Sequence, residues 1–319
     1  MRRSARILAA FISPAAAQRA LQARIAFFVL LWCLGGAARA AAQSDVPPAI
    51  RLRLESVVVL AARDFIQPVA IAAGPLGRLF IADVGRGTVL RVGPDGRVLY
   101  EFETPPNVAA LLPIDLEVTG FRVYVLDAQS SALLRFGDEG GFLDVLRSFR
   151  ADGVETPRAI AVDRMVRVLA ALTSRHQARL FDGSQGTETI VGGFGTRPGE
   201  LSRPLGVAFA PDGSFYVADT GNARIQRFSA VGNFMGAFSD SLGEPRGLTV
   251  GPTGELFVAD ARRRSLWLLG PAGGARDELR LGPQNPVDVT VVGDTAWVLE
   301  DSPPALARLR VERTADERK

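Results

Sequence analysis

This 319-residue sequence contains one cysteine and one histidine, and its only lysine is Lys319. Cys33 lies in an apolar stretch near the N-terminus, so the rest of the chain has no disulfide and no thiolate chemistry. His176 stands alone. That excludes a zinc centre built from several histidines or cysteines and argues against a nucleophilic triad needing a histidine base. His176 follows Ser174-Arg175 and reads as a surface turn residue. A basic body is lacking too. Residues 1–40 hold six arginines and no acid; without them, 31 basic residues face 34 acidic ones, a formal charge of −3. Bulk charge therefore gives no case for nucleic-acid binding.

Long apolar runs are also scarce. Residues 25–38, IAFFVLLWCLGGAA, are flanked by Arg24 and Arg39. They fall well short of the roughly 20 residues that span a bilayer. Ala38-Arg39-Ala40 and Ala40-Ala41-Ala42 follow and fit an A-x-A cleavage pattern. This is the anatomy of a secretory signal. The expectation is a periplasmic or secreted protein, with a membrane contact only if the leader stays uncleaved. Residues 1–42 read as signal peptide and leader, 43–49 as linker, 50–312 as the folded domain and 313–319 as a polar tail.

What the sequence has in quantity is short apolar segments cut by glycine (33) and proline (20). A proline opens each of six units: Pro68, Pro113, Pro157, Pro204, Pro245 and Pro286, at spacings of 45, 44, 47, 41 and 41. About fifteen residues later, most units end an apolar run in an acid: Asp83, Asp127, Asp219, Asp260 and, in the sixth, Asp301. The third unit has Thr173 there. Units of this length predict a propeller or a solenoid.

The fourth unit shows four strands most clearly. Leu205–Ala210, Ser214–Ala218, Arg224–Ser229 and Asn233–Ser239 are separated by turns such as Pro211-Asp212-Gly213. The sixth unit has only three strands, and Ile50–Leu60 is a spare one upstream. The predicted fold is all-β: a six-bladed β-propeller of four-stranded antiparallel blades, closed by pairing the N-terminal strand with the C-terminal blade. Such closure removes an exposed edge.

The stretch RPLGVAFAPDGSFYVADTGNARIQRFSAVGNFMGAF, Arg203–Phe238, resembles an NHL repeat along its whole length. EPRGLTVGPTGELFVAD (Glu244–Asp260) and QPVAIAAGPLGRLFIAD (Gln67–Asp83) are similar to it, and the other three units match in outline. The resemblance implies a six-bladed propeller. It fixes no activity, because family members include lyases of amidated peptides, protein-interaction modules and RNA-binding domains. The amidoglycolate lyases among them use histidines around a central metal, which this chain lacks.

Gluconolactonase-type propellers hold a metal at the central tunnel through Glu, Asp and Asn. Here two inner strands open with Pro-x-Asp, which predicts Asp115 and Asp288 at the tunnel mouth. Calcium is the ion such oxygen ligands would suit, but two acids alone are too few without carbonyls and water to complete the shell, and hydrogen bonding to turn amides is the favoured reading. The recurring Asp83, Asp127, Asp219 and Asp260 read as turn-capping scaffold residues. The top face, which carries the d–a and b–c connections, is expected to present Arg158, Arg203, Arg246 and Arg262, Arg263 and Arg264, with Arg86 and Arg224. Guanidinium groups there would take a small anionic or polar ligand or a protein surface. The functional expectation is a monomeric, non-catalytic binding or scaffold protein that uses its top face, needs no cofactor and binds no nucleic acid. A calcium-type hydrolase or lyase at the tunnel mouth and a cell-envelope structural component are the alternatives.

Overall fold

Runs of four to seven residues rich in Val, Ile, Phe and Tyr, each stopped by a Gly- or Pro-containing turn, favour strands over helices. The computed structural model describes residues 50–313 apart from 107, 109, 152, 183–186, 239–241, 272, 283 and 302. The leader, its cleavage site, the linker and the residues after 313 lie outside the described residues. In chain order, β1 (Ile50–Val59) comes first. Blade one holds β2 (Pro68–Ala73), β3 (Leu79–Asp83), β4 (Thr88–Val92) and β5 (Val98–Glu101). Blade two holds β6 (Pro113–Thr119), β7 (Arg122–Asp127), β8 (Ala132–Gly137) and β9 (Phe142–Ser148). Blade three holds β10 (Ala159–Val162), β11 (Val168–Leu172), β12 (Gln177–Phe181) and β13 (Glu188–Gly192). Blade four holds β14 (Gly206–Phe209), β15 (Phe215–Asp219), β16 (Arg224–Phe228) and β17 (Phe234–Phe238). Blade five holds β18 (Pro245–Val250), β19 (Leu256–Asp260), β20 (Ser265–Leu269) and β21 (Ala275–Arg280). Blade six holds β22 (Asn285–Val292), β23 (Thr295–Asp301) and β24 (Ala305–Arg313).

These strands form six four-stranded sheets, and the sixth has the order β1-β24-β23-β22. β1 pairs antiparallel with β24, from Ile50 opposite Arg313 to Val59 opposite Ala305. The last strand thus runs through Arg313, one residue into the segment read as tail. Among the described residues no helix is long and apolar enough to cross a membrane.

The core is divided into six apolar clusters, one at each junction between neighbouring blades. The junction of blades six and one packs Trp297, Leu299 and Leu306 against Leu60, Phe65 and Ile71. Each second strand is sandwiched on both faces, so Leu79–Asp83, Phe215–Asp219 and Leu256–Asp260 are buried at every position. This explains why those segments read as unbroken apolar runs rather than alternating ones. Outer strands face water on one side, as in the half-exposed Phe234–Phe238. Between β14 and β15 the chain reverses at Gly213, whose φ of 82° favours glycine.

The acids that close the second strands pin the turns beside them. Asp83 accepts the N–H groups of Gln67 and Ile66 at 2.8 Å each and of Arg86 at 3.0 Å. Asp260 does the same with Gly243 (2.5 Å), Glu244 (2.9 Å) and Arg263 (3.1 Å). Asp127 accepts from Leu112 and Ser130 at 2.6 and 2.8 Å. In blade three, Thr173 Oγ1 instead donates to the Pro204 carbonyl at 2.6 Å.

Blade six corrects the sequence reading by one residue. Pro68 faces Asp83, Pro113 faces Asp127 and Pro245 faces Asp260, whereas Pro286 faces Glu300. The equivalent acid is Glu300, because β23 runs one residue further to Asp301 before its turn.

Candidate functional site: the tunnel mouth

The inner strands β2, β6, β10, β14, β18 and β22 surround a central tunnel. Its top opens into a cavity of about 510 Å3 whose lining includes Asp115, Glu117, Arg158, Arg246, Thr249 and Asp288. A second cavity of about 870 Å3 lies at the other end, among the turns at Gly120, Met165, Pro211 and Pro252. Glu117 and Thr249 line both, so they mark the waist where the cavities meet.

The ladders of β6 and β22 slip between the opening proline and the acid two residues on. Asp115 and Asp288 therefore hold the same place in their blades. Asp115 Oδ2 accepts the Ile160 N–H of blade three at 2.6 Å. Asp288 Oδ2 accepts the Ile71 N–H of blade one at 2.8 Å, and its Oδ1 accepts the Val289 N–H at 2.9 Å. Each acid thus ties its own inner strand to the next. Glycines occupy the tightest part of the ring. A Cβ on Gly247 would fall on Asp288 Oδ1 and lie 2.6 Å from its Cα, and a Cβ on Gly206 would fall on the Arg246 carbonyl.

Asp115, Glu117 and Asp288 are half-buried in the wall of this cavity. Burial first, and then the charge of Asp288, raises the Asp115 carboxyl well above the ordinary range; the N–H groups of Ile160 and Leu116 oppose the rise. Burial pushes Asp288 up to about 7 against the N–H groups of Ile71 and Val289. Glu117 rises to about 7, from burial first, with the Asp288 charge adding to it. Asp115 and Asp288 titrate as a pair.

Sequence reasoning passed over Glu117. The signal was available: it lies two residues after Asp115, hence on the same face of β6. Its Oε1 accepts the neighbouring Val118 N–H at 2.9 Å.

The structure brings two of the eight arginines expected on the top face to this cavity. Arg158 is exposed and makes no side-chain hydrogen bond or ion pair among the described residues. Arg246 is held by Glu244 Oε1, at 3.0 Å from Nε and 2.8 Å from Nη2. Arg203 shares a shallower depression with Arg158 and His176. There the Arg203 N–H donates to His176 Nδ1 at 3.0 Å, and the His176 ring stands edge-on to Phe194. Arg262, Arg263 and Arg264 are exposed on the b–c turn of blade five and line neither cavity; Arg263 lies over the Trp267 ring.

The other two top-face arginines are engaged in the scaffold. Arg224 donates to Asp219 Oδ2 at 2.6 Å and to the carbonyls of Thr196, Arg197 and Glu200. Arg86 pairs with Glu101.

Among the described residues no group of three or more His, Cys, Asp or Glu side chains is arranged to hold a metal ion. Asp115 and Asp288 have much of their acceptor capacity taken by backbone N–H groups. The arrangement offers a polar cavity with free positive charge at its rim and protonatable acids along its wall.

An NHL-repeat family model matches residues 201–228. No curated protein matches the chain by sequence. Solved structures match by shape. A streptogramin B lyase shares 13% identity, covering 82% of this chain and 98% of its own, with a TM-score of 0.64. A gluconolactonase from Xanthomonas campestris shares 17% identity over 84% of this chain and 96% of its own, at 0.60. A catalytically inactive histidine-to-alanine variant of virginiamycin B lyase from Staphylococcus aureus, bound to quinupristin, shares 14% over 82% and 100%, at 0.57. At such identities the likeness is one of fold. With an NHL repeat matched at residues 201–228 and six blades built to one four-stranded plan, the chain is a six-bladed β-propeller.

Proposed function

We propose that this chain is an exported, non-catalytic binding propeller that takes a small polar ligand bearing an anionic group at the top mouth of its tunnel. The observation that carries this reading is the free guanidinium of Arg158 at the rim of a cavity walled by Asp115, Glu117 and Asp288. An anionic group would meet Arg158 and, beside it, Arg246 in bidentate fashion. Hydroxyl or amine donors on the same ligand would meet the wall carboxyls. A cavity of about 510 Å3 is of the size that encloses a small molecule. Export rests on the leader and its small-residue cleavage pattern.

Against a lyase stands the single histidine. A histidine replacement inactivates the lyase variant named above, and here His176 lies in the shallow depression rather than in the tunnel. The alternative is a hydrolase or lyase using Asp115, Glu117 and Asp288. Its support is that burial raises all three carboxyls, Glu117 and Asp288 to about 7, toward the range where general acid–base catalysis operates.

The test is a thermal-shift panel of sugar acids, dicarboxylates and sugar phosphates. A ligand that raises Tm in the wild type and fails in Arg158→Ala with Arg246→Ala supports the reading. Stabilisation that ignores both substitutions overturns it. Consumption of the ligand over time, followed by NMR and lost in Asp288→Asn, would favour the enzyme.

A further inference from the structure

The turn that joins the first two strands of a blade follows one plan in blades four and five. Ala210-Pro211-Asp212-Gly213 and Gly251-Pro252-Thr253-Gly254 each carry proline second and glycine last. The Gly213 N–H donates to the Ala210 carbonyl and the Gly254 N–H to the Gly251 carbonyl, both at 3.0 Å. Blade three makes the same turn from Asp163-Arg164-Met165-Val166, with the Val166 N–H donating to the Asp163 carbonyl at 3.0 Å. Val166 has a φ of 62°, a costly conformation for a β-branched residue. The Asp163 carboxylate holds the turn in place. It accepts the N–H groups of Met165 and Arg167 at 2.9 Å each and the Arg167 Nε–H at 2.7 Å. Arg167 in turn donates to the carbonyls of Ala230 and Gly213 in blade four, at 3.2 Å each. Where blades four and five place proline, this pinned turn presents Arg164, and the next residue, Met165, is 70% exposed.

Arg164 and Met165 both line the cavity of about 870 Å3 at the lower end of the tunnel. The other charges of its lining are committed or remote. Asp163 is paired with Arg167 and Asp212 with Arg227, and Glu117 lies at the waist. Arg164 makes no side-chain hydrogen bond or ion pair among the described residues. Phe209, Pro211 and Pro252 make the wall beside it apolar, and the Arg167 guanidinium lies 5.0 Å from the centre of the Phe209 ring. One unspent positive charge beside an apolar wall is complementary to an anion that carries an apolar tail. We infer that the lower mouth is a second binding site, which takes a small amphiphilic carboxylate. The carboxylate meets Arg164, and its alkyl or aryl body lies against Met165, Phe209, Pro211 and Pro252. The site uses neither Arg158 nor Arg246, so it does not depend on what the top mouth binds.

The experiment is calorimetric titration of the chain with sodium octanoate below its micelle-forming concentration, with acetate and octan-1-ol as controls. The expected result is one octanoate per chain, no measurable uptake of acetate, and octanol bound more weakly by roughly tenfold or more. Arg164→Pro gives blade three the proline of blades four and five. Like Arg164→Ala, it should keep the Tm of the wild type and weaken octanoate binding by roughly tenfold or more. If Arg164→Pro does not fold, Arg164→Ala decides. Met165→Ser should weaken binding by roughly fivefold. Arg158→Ala with Arg246→Ala should leave it intact. No octanoate uptake by the wild type, uptake unmoved by Arg164→Ala, octanol bound as well as octanoate, or uptake lost in the top-mouth variant would each overturn the assignment.

Discussion

Asp288 in β22 accepts the backbone N–H of Ile71 in β2 at 2.8 Å, across the junction of the last blade with the first. Asp115 and Ile160 repeat the relation between blades two and three at 2.6 Å. Further down each junction a threonine adds a second rung: Thr290 Oγ1 accepts the Ala73 N–H at 3.0 Å, and Thr119 Oγ1 donates to the Val162 carbonyl at 2.7 Å. Inner strands of adjacent blades share no ladder, so side chains provide the polar links between them.

Removing such a link should leave an N–H without an acceptor. Asp288→Ala is expected to destabilise the fold by about 1–3 kcal/mol in urea unfolding. Asp288→Asn retains an acceptor and should cost less. Equal losses from the two would show that the bond to Ile71 contributes little.

Glu117 sets a pH dependence. Its carboxyl rises from 4.5 to about 7 in the folded chain. The folded state therefore holds the proton more tightly than the unfolded state. That contribution is fully present below about pH 4.5 and is lost as pH climbs through 7. Glu117→Gln should gain on the wild type across this window, with a limiting slope of about 1.4 kcal/mol per pH unit. Urea midpoints measured from pH 4.5 to 8 check this, and a pH-independent difference would contradict it.

Two arginine–aspartate pairs should differ sharply in worth. Asp219 is fully buried and accepts from the Ser202 N–H, Asn222, Arg224 and Gln226. Asp219→Ala is expected to cost about 3–5 kcal/mol, because it strands the largely buried Arg224. Asp212, more than half exposed beside Arg227, should cost under about 1 kcal/mol on the same change. Chemical denaturation of the two variants makes the comparison.

Gly206→Ala and Gly247→Ala probe the tight side of the ring. A methyl at either position meets backbone atoms of the next blade, which cannot swing away. Each is expected to destabilise by about 1–3 kcal/mol. Ala159 already occupies the matching place in blade three, so a small side chain fits there. A neutral result at Gly247 would mean that the ring can widen.

The blade plan was readable because it is restated six times, with proline opening each inner strand and an aspartate closing most second strands. The Pro-x-Asp openings likewise drew attention to Asp115 and Asp288, which line the cavity. Other features depend on what faces what. Arg224 reads as a free top-face cation but is spent on Asp219 and three carbonyls. Glu300 was hidden because a motif ending in two acids does not reveal which one lies opposite Pro286. That depends on ladder register, which side-chain chemistry alone does not fix.

Ile50 stands opposite Arg313, so the outermost pairing of blade six joins residues from the two ends of the described chain. Every other blade draws its four strands from one continuous stretch. β1 has no partner within its own stretch of chain and pairs only with β24. Joining such distant segments is intrinsically slow, which makes this latch the natural late step of maturation.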